Sequence, residues 1–365
     1  MSFSFKFGVF GGCVAKKGRF VDIMVGMSSF VKPKALNKGD VVGIVAPSDA
    51  VEKWWVQQGV KKLKEWGLKA RLGKHLYSVV GDFAAGSTDE RKEDILRMIE
   101  DPEVKVIWAA EGGYAATEVL PLFTKEVVQK LRQSPKWFIG YSDVCVLLNA
   151  LTSFKIVNIQ VPNLTGLAEK DLRSQDWIRR MLFGETGLEV GSESAWTSMI
   201  MGTAKGSLLV SNLDSLIAVL GTKFDPIMHG SGDLILGLEE WWIDKSTLQR
   251  QVDTILNHQR ADRIKGIILG RLIGIGEDSY PVWGKKITPA QLIEGRVRLK
   301  GAIPMAELDD FGHPSEDNWF TERFPRFKKP ETFLGLPNGV NVQFTVETGT
   351  ARLQFLENIT APVNA

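Results

Sequence analysis

Apolar residues along this chain alternate between unbroken runs and helical spacings. Val41–Ala46 is a continuous apolar run, the pattern of a strand buried on both faces. Val51–Trp66 then places Val51, Trp55, Val60 and Leu63 among lysines, which predicts an amphipathic helix. Ser87-Thr88-Asp89-Glu90 is a capping-box pattern that opens a helix running to about Ile99. Lys105–Ala110 predicts a strand, Lys125–Arg132 a helix, Trp137–Tyr141 a strand and Val144–Phe154 a helix. Strand and helix alternating at this spacing imply a parallel sheet covered on both sides. Ala168–Thr197 is polar and irregular, and reads as a passage to a second domain. Beyond it, Asp233–Glu239 and Ile264–Leu269 predict strands and Thr247–Asn257 a helix. Thr288-Pro289 gives an N-cap followed by proline, and Val340–Thr345 and Ala351–Leu356 alternate as two antiparallel strands. There is no internal repeat and no low-complexity tract.

Composition narrows the classes of function. The 365 residues suffice for two domains, and the 44% hydrophobic and 24% charged fractions are those of an ordinary soluble protein. A net charge of +2 gives no reason to expect nucleic acid or an anionic membrane as partner. Two cysteines, Cys13 and Cys145, suit a reducing compartment, and four histidines without close pairing argue against zinc. The apolar patch Phe7–Ala15 is too short to span a membrane and is closely bounded by Lys6 and Lys16-Lys17. Phe10-Gly11-Gly12-Cys13 faintly resembles a lipoprotein cleavage site, but the expectation is a cytoplasmic protein with a loose N-terminal extension over residues 1–31.

Ligands of open parallel sheets bind beyond the carboxyl ends of the strands. Three loops fall there: Pro47-Ser48-Asp49, Gly112–Thr117 and Ser142-Asp143. Ser48 and Ser142 read most simply as helix N-caps. Gly112-Gly113 permit a sharp turn from strand into helix, such as presents a catalytic nucleophile, yet the following residues are Tyr114-Ala115-Ala116. In the second half, Glu239-Glu240 end a predicted buried strand. His313 lies in a loop with acids close by; a histidine oriented by a carboxylate is the general-base half of a serine triad, whereas a lone loop histidine is ordinarily surface.

Six blocks, KGDVVGIVAPSD, STDERKEDILRMIEDPEVKVIWAAEGGY, FIGYSDV, LGT, LILGLEE and FGH…LPNGV, occur in the order and spacing of the LD-carboxypeptidase family of serine peptidases, which this chain resembles from Lys32 to about Glu357. That family takes in muropeptide LD-carboxypeptidases and microcin C self-immunity peptidases. The resemblance implies an α/β protein: a doubly wound, mostly parallel sheet similar to class I glutamine amidotransferases, and a smaller mixed α/β C-terminal domain. The corresponding boundaries are 32–170 for the first domain, 171–200 for a linker and 201–365 for the second. It further implies a homodimer, a Ser-Glu-His triad at the domain junction, a small peptide or peptide-conjugate substrate and no cofactor or metal.

Carried over residue by residue, the resemblance assigns the orienting glutamate to Glu239, the histidine to His313 and the nucleophile position to Ala116, where the serine is missing. Thr117 and Gly113 then supply the oxyanion-hole N–H groups, and Ser48, Tyr114, Ser142, Asp143, Asn212 and Trp241 face the substrate. Trp241-Trp242 stand where the family usually has small residues, Val210-Ser211-Asn212 replaces Gly-Gly-Asn, and residues 314–332 form an insertion. The leading expectation is therefore a carboxypeptidase that hydrolyses an amide next to a free carboxylate, of L,D-muropeptide type, with its nucleophile absent. The alternatives are attack by Thr117, by Ser142 or Ser48, or by a water activated by His313 and Glu239, and a non-catalytic peptide-binding protein. A glutaminase is excluded, because neither cysteine lies at the turn.

Overall fold

The computed structural model describes residues 29–229, 232–276, 286–314 and 331–362. The N-terminal extension and most of the insertion after His313 lie outside the described residues. The first sheet holds β1 (Val41–Val45), β2 (Lys69–Leu72), β3 (Val104–Ala109), β4 (Trp137–Gly140) and β5 (Asn158–Gln160). β6 (Glu189–Val190), β7 (Trp196–Ile200), β8 (Gly202–Asn212), β9 (Leu234–Trp241), β10 (Ile264–Ile273) and β11 (Met305–Leu308) follow. β12 (Leu336–Asn338), β13 (Asn341–Glu347) and β14 (Thr350–Phe355) complete the chain.

The first sheet has the order β12-β5-β4-β3-β1-β2, with β1 to β5 parallel and β12 antiparallel on the edge. Strand order reverses between β1 and β3, and a sheet that reverses there opens a crevice at its carboxyl edge. The loops after β1, β3 and β4 meet at that crevice. The second sheet is mixed, β6-β14-β13-β8-β9-β10-β11-β7, with a parallel centre from β8 to β11.

The helical expectations follow the pattern closely. Lys53–Glu65 is a helix, although the residues it buries are Val56, Gly59 and Leu63, with Trp55 only half-buried. Gly59 has a reason: a Cβ there would stand 2.3 Å from the carbonyl oxygen of Leu164, so the short helix Leu164–Leu167 packs directly on the backbone. The Ser87 and Thr288 capping boxes are both formed. The passage after Ala168 is not irregular. It contains the helix Leu172–Leu182, capped by Asp171, which buries Trp177, Ile178, Met181 and Leu182 beneath an arginine-rich outer face. Two strands, β6 and β7, follow within the same stretch.

The two sheets share their cores. One buried cluster joins Ile107 and Phe138 to Leu209 and Leu236, and another joins Val42 and Ile139 to Leu208, Ile235 and Phe344. β12 ties them further. It pairs with β5 of the first sheet, while Asn338 accepts the Val210 N–H of β8 at 2.6 Å and donates to Asn158 Oδ1 at 2.9 Å.

Asn338 is fully buried, so Asn338→Ala leaves a backbone N–H and an amide oxygen without partners. The expected loss is ~2–4 kcal/mol, read as a lower urea midpoint, from two desolvated groups at ~1–3 kcal/mol each. An unchanged midpoint would show that the two sheets are not tied through this side chain.

Candidate active site

β4 ends at Gly140, Tyr141 is extended, and Ser142 takes a left-handed backbone with φ 62° before the helix Cys145–Ser153 begins. A serine forced into that region marks a tight strand-to-helix turn that holds its side chain outward, the geometry of a nucleophile elbow. The neighbours make room for it: a Cβ on Gly140 would meet Val144 at 2.6 Å, and one on Gly112 would lie 3.0 Å from Ser142 Cβ. The Ser142 hydroxyl does not cap a helix. It lies 3.1 Å from His313 Nε2.

His313 follows β11 in a loop whose backbone presses on β9. Gly312, at φ 108°, has no space for a Cβ, which would sit 2.8 Å from the Glu239 Cβ. Glu239 is fully buried; its Oε2 accepts from His313 Nδ1 in a short contact and from the His313 backbone N–H at 3.3 Å. Its Oε1 accepts from Gln160 Nε2 at 3.4 Å. A proton held on Nδ1 by a buried carboxylate leaves Nε2 as the lone-pair nitrogen, and Nε2 is the one that faces Ser142. Two aromatic rings touch the imidazole: Tyr141, with centroids 4.9 Å apart, and Trp241, at 5.5 Å and 9° between planes.

Ala116 is elsewhere. Its side chain is fully buried in the hydrophobic core, and its residue opens the 3-10 helix Ala116–Leu122. The turn after the glycine pair, expected to be the elbow, therefore does not bring Ala116 to the cavity. The glycines turn the chain back along β1 and β4, and Gly113, at φ 130°, passes so close to Asp49 that a Cβ would lie 1.9 Å from its carboxyl carbon. Three successive amides are then taken by side chains: Tyr114 N–H by Asp49 at 3.0 Å, Ala115 N–H by Ser48 Oγ at 3.1 Å and Ala116 N–H by Asp143 at 2.7 Å. Ser48 in turn donates to Asp143 Oδ2, and Arg91 donates to the carbonyl of Ala115 at 2.7 Å. A loop pinned this way lines the crevice with Gly112, Gly113, Tyr114 and Thr117, while Ala116 lies in the core.

Of the residues expected to face substrate, Tyr114, Ser142, Asp143, Asn212 and Trp241 line one cavity of about 580 Å³, together with Gly113, Thr117 and His313. Ser48 does not; it is fully buried behind the loop and holds it. The cavity also meets carboxylates beyond the expected site residues, among them Asp49, Glu111, Asp214 and Glu240. Glu240 is buried beside Glu239 and accepts from Asn212 Nδ2 at 3.1 Å, Trp241 N–H at 2.7 Å and Asp214 N–H at 2.8 Å. Burial pushes its carboxyl up to about 7, opposed by the Trp241 N–H and reinforced by the charge of Glu239. Burial likewise raises Asp143 to about 6, against the bonds from Ser48 and Ala116. Among the described residues no cluster of three or more acidic, histidine or cysteine side chains could hold a metal, and no helix is long and apolar enough to cross a membrane.

Comparison with known proteins places the chain in one family. Residues 42–160 match the model of the LD-carboxypeptidase N-terminal domain and residues 205–321 that of the LD-carboxypeptidase C-terminal domain. The chain belongs to the LD-carboxypeptidase family. It is 34% identical over 281 residues to the probable murein peptide carboxypeptidase of Bacillus subtilis (strain 168), spanning 74% of this chain and 85% of that protein. The murein tetrapeptide carboxypeptidase of Pseudomonas aeruginosa is 27% identical over 236 residues, 63% of this chain and 75% of the relative. Among solved structures, the microcin C7 self immunity protein MccF in complex with aspartyl sulfamoyl adenosine superposes with a TM-score of 0.72 at 18% identity, covering 91% of this chain and all of that one. The two-domain α/β fold with a parallel sheet is therefore the fold of these proteins.

Because the Glu240 carboxyl is raised, it contributes stability while protonated and loses that contribution as pH rises through about 7. Glu240→Gln has no such titration. The parent protein should therefore lose ~1 kcal/mol relative to the variant between pH 6 and pH 8, measured by urea unfolding at each pH. A pH-independent difference would show that Glu240 does not titrate between pH 6 and pH 8.

Proposed function

We propose that the protein is a serine carboxypeptidase in which Ser142 is the nucleophile, His313 the general base and Glu239 the acid that orients it. The observation that carries this reading is the approach of Ser142 Oγ to His313 Nε2 at 3.1 Å, with Nδ1 on a fully buried Glu239. On this reading no nucleophile is missing; Ala116 is a core residue of the pinned loop.

Ser142 Oγ attacks the carbonyl carbon of the scissile amide while its proton passes to Nε2. The imidazolium is stabilised by Glu239, and the carbonyl oxygen becomes an oxyanion. The N–H of the residue after the nucleophile, Asp143, and that of Gly113 are the donors placed to hold it; neither gives its proton to an acceptor among the described residues. Thr117, expected as a donor beside Ala116, has no part in an elbow at Ser142. The Ser48–Asp49–Asp143 network keeps Gly113 in place for this task. Collapse of the intermediate breaks the C–N bond, Nε2 protonates the departing amine, and a water activated by the same nitrogen hydrolyses the ester. The substrate supported best is an L,D-linked muropeptide that releases a terminal D-amino acid, since relatives at 34% and 27% identity carry the names probable murein peptide carboxypeptidase and murein tetrapeptide carboxypeptidase. A purely binding protein is less well supported, because a buried carboxylate aligning a histidine on a serine serves no binding purpose.

The test follows release of the terminal amino acid from an L,D-linked tetrapeptide. The protein as it stands should turn over, Ser142→Ala should lose about 10⁶-fold in kcat, and Ala116→Ser should gain nothing. An inactive parent restored by Ala116→Ser would overturn the assignment.

A further inference from the structure

The tip of β9 touches His313 twice. Glu239 takes the edge of the ring at Nδ1, and Trp241, two residues on and therefore on the same side of the strand, lies parallel to its face at 5.5 Å between centroids. A 9° angle at that separation is an offset stack. Trp241 is itself held in register. Its N–H donates to Glu240 at 2.7 Å, and the Trp242 ring stands edge-on to it at 5.8 Å and 63°. Trp242 reaches that place through a left-handed backbone, φ 59°, over Gly274, where a Cβ would stand 2.9 Å from its ring. An indole set so firmly against the base of a proposed triad is more than a pocket wall.

We propose that Trp241 is a positioning residue for His313, fixing the imidazole plane towards Ser142 and stabilising the imidazolium that forms when Nε2 takes the Ser142 proton. This rests on the assignment of His313 as general base. The physical basis is the attraction of a cation for the π-face of tryptophan, strongest where water is excluded. Glu239 holds Nδ1 with Glu240 buried beside it, Tyr141 lies beside the ring, and Arg271 donates to the His313 carbonyl at 3.3 Å while pairing with Asp309 at 3.4 Å and Glu331 at 3.9 Å. Asp143 lies one residue beyond Ser142. Stacking also shields the imidazole from water, which opposes the charged form, so the direction of the effect decides between the two.

The experiment compares the parent with Trp241→Phe and Trp241→Leu. The chain has four histidines, so their ring signals can be followed by NMR across pH, with His313→Gln assigning the one of interest. In Trp241→Leu the His313 midpoint should fall by about half a pH unit or more, corresponding to a three-fold or greater loss of preference for the imidazolium, while Trp241→Phe retains most of the parent value. On an L,D-linked tetrapeptide, Trp241→Leu should lower kcat about ten-fold with little change in KM, and phenylalanine should restore most of it. An unchanged or raised midpoint in the leucine variant, or a rise in KM alone, would overturn the proposal. A fallen midpoint with no turnover in the parent would leave the stacking role standing and remove the carboxypeptidase reading instead.

Discussion

A carboxylate without solvent lies at the centre of this molecule. Taking an ion such as Glu239 out of water costs several kcal/mol unless partners replace the lost hydration. Here the partners come from two separate parts of the fold: Gln160 at the end of β5, and both the ring and the backbone N–H of His313 beyond β11. None of these is near Glu239 in sequence. The charge is tolerable only when both sheets are assembled and the His313 loop is seated, so the interaction that orients the base is also one that demands the complete fold. Gly312 and Gly270 serve the same end, each giving up a side chain so that backbone can close on Glu239.

A second constraint operates across the crevice. The glycine turn after β3 carries no reactive side chain, and its amides are committed to Asp49, Ser48 and Asp143. The carboxylate next to the serine thus builds the wall opposite it. Since burial raises Asp143 to about 6, the bond it accepts from Ala116 and the hydroxyl it shares with Ser48 belong to a group close to its titration range near neutrality.

Much of this was legible in the chain, and the places where it was not are instructive. The buried runs of β1, β3 and β4, the capping boxes, and the identities of Glu239 and His313 all follow from local pattern or family blocks. The proposed nucleophile, Ser142, did not. Two candidate turns follow apolar strands, one with a glycine pair and one reading Gly-Tyr-Ser-Asp, and the glycine pair draws attention because it bends more freely. The signal in the other turn was the serine itself, in the frame strand, Gly-x-Ser, helix. A helix N-cap explains such a serine equally well until the backbone angle and the distance to His313 are known. Likewise the helix Leu172–Leu182 is hidden among charges, since its apolar stripe is only four residues long and is buried by β12 and its neighbours through contacts such as Trp177 Nε1 to the Gly335 carbonyl at 2.7 Å.

β12 returns to the first sheet from the far end of the chain, and this bears on how the site comes into being. The chain leaves the second sheet at Leu308, delivers His313, and from Leu336 pairs with β5. The histidine therefore rides on a tether fastened to both halves of the protein. Any slackening between the halves, whether by heat, denaturant or cleavage of the chain between them, would separate acid and base from serine before either sheet came apart.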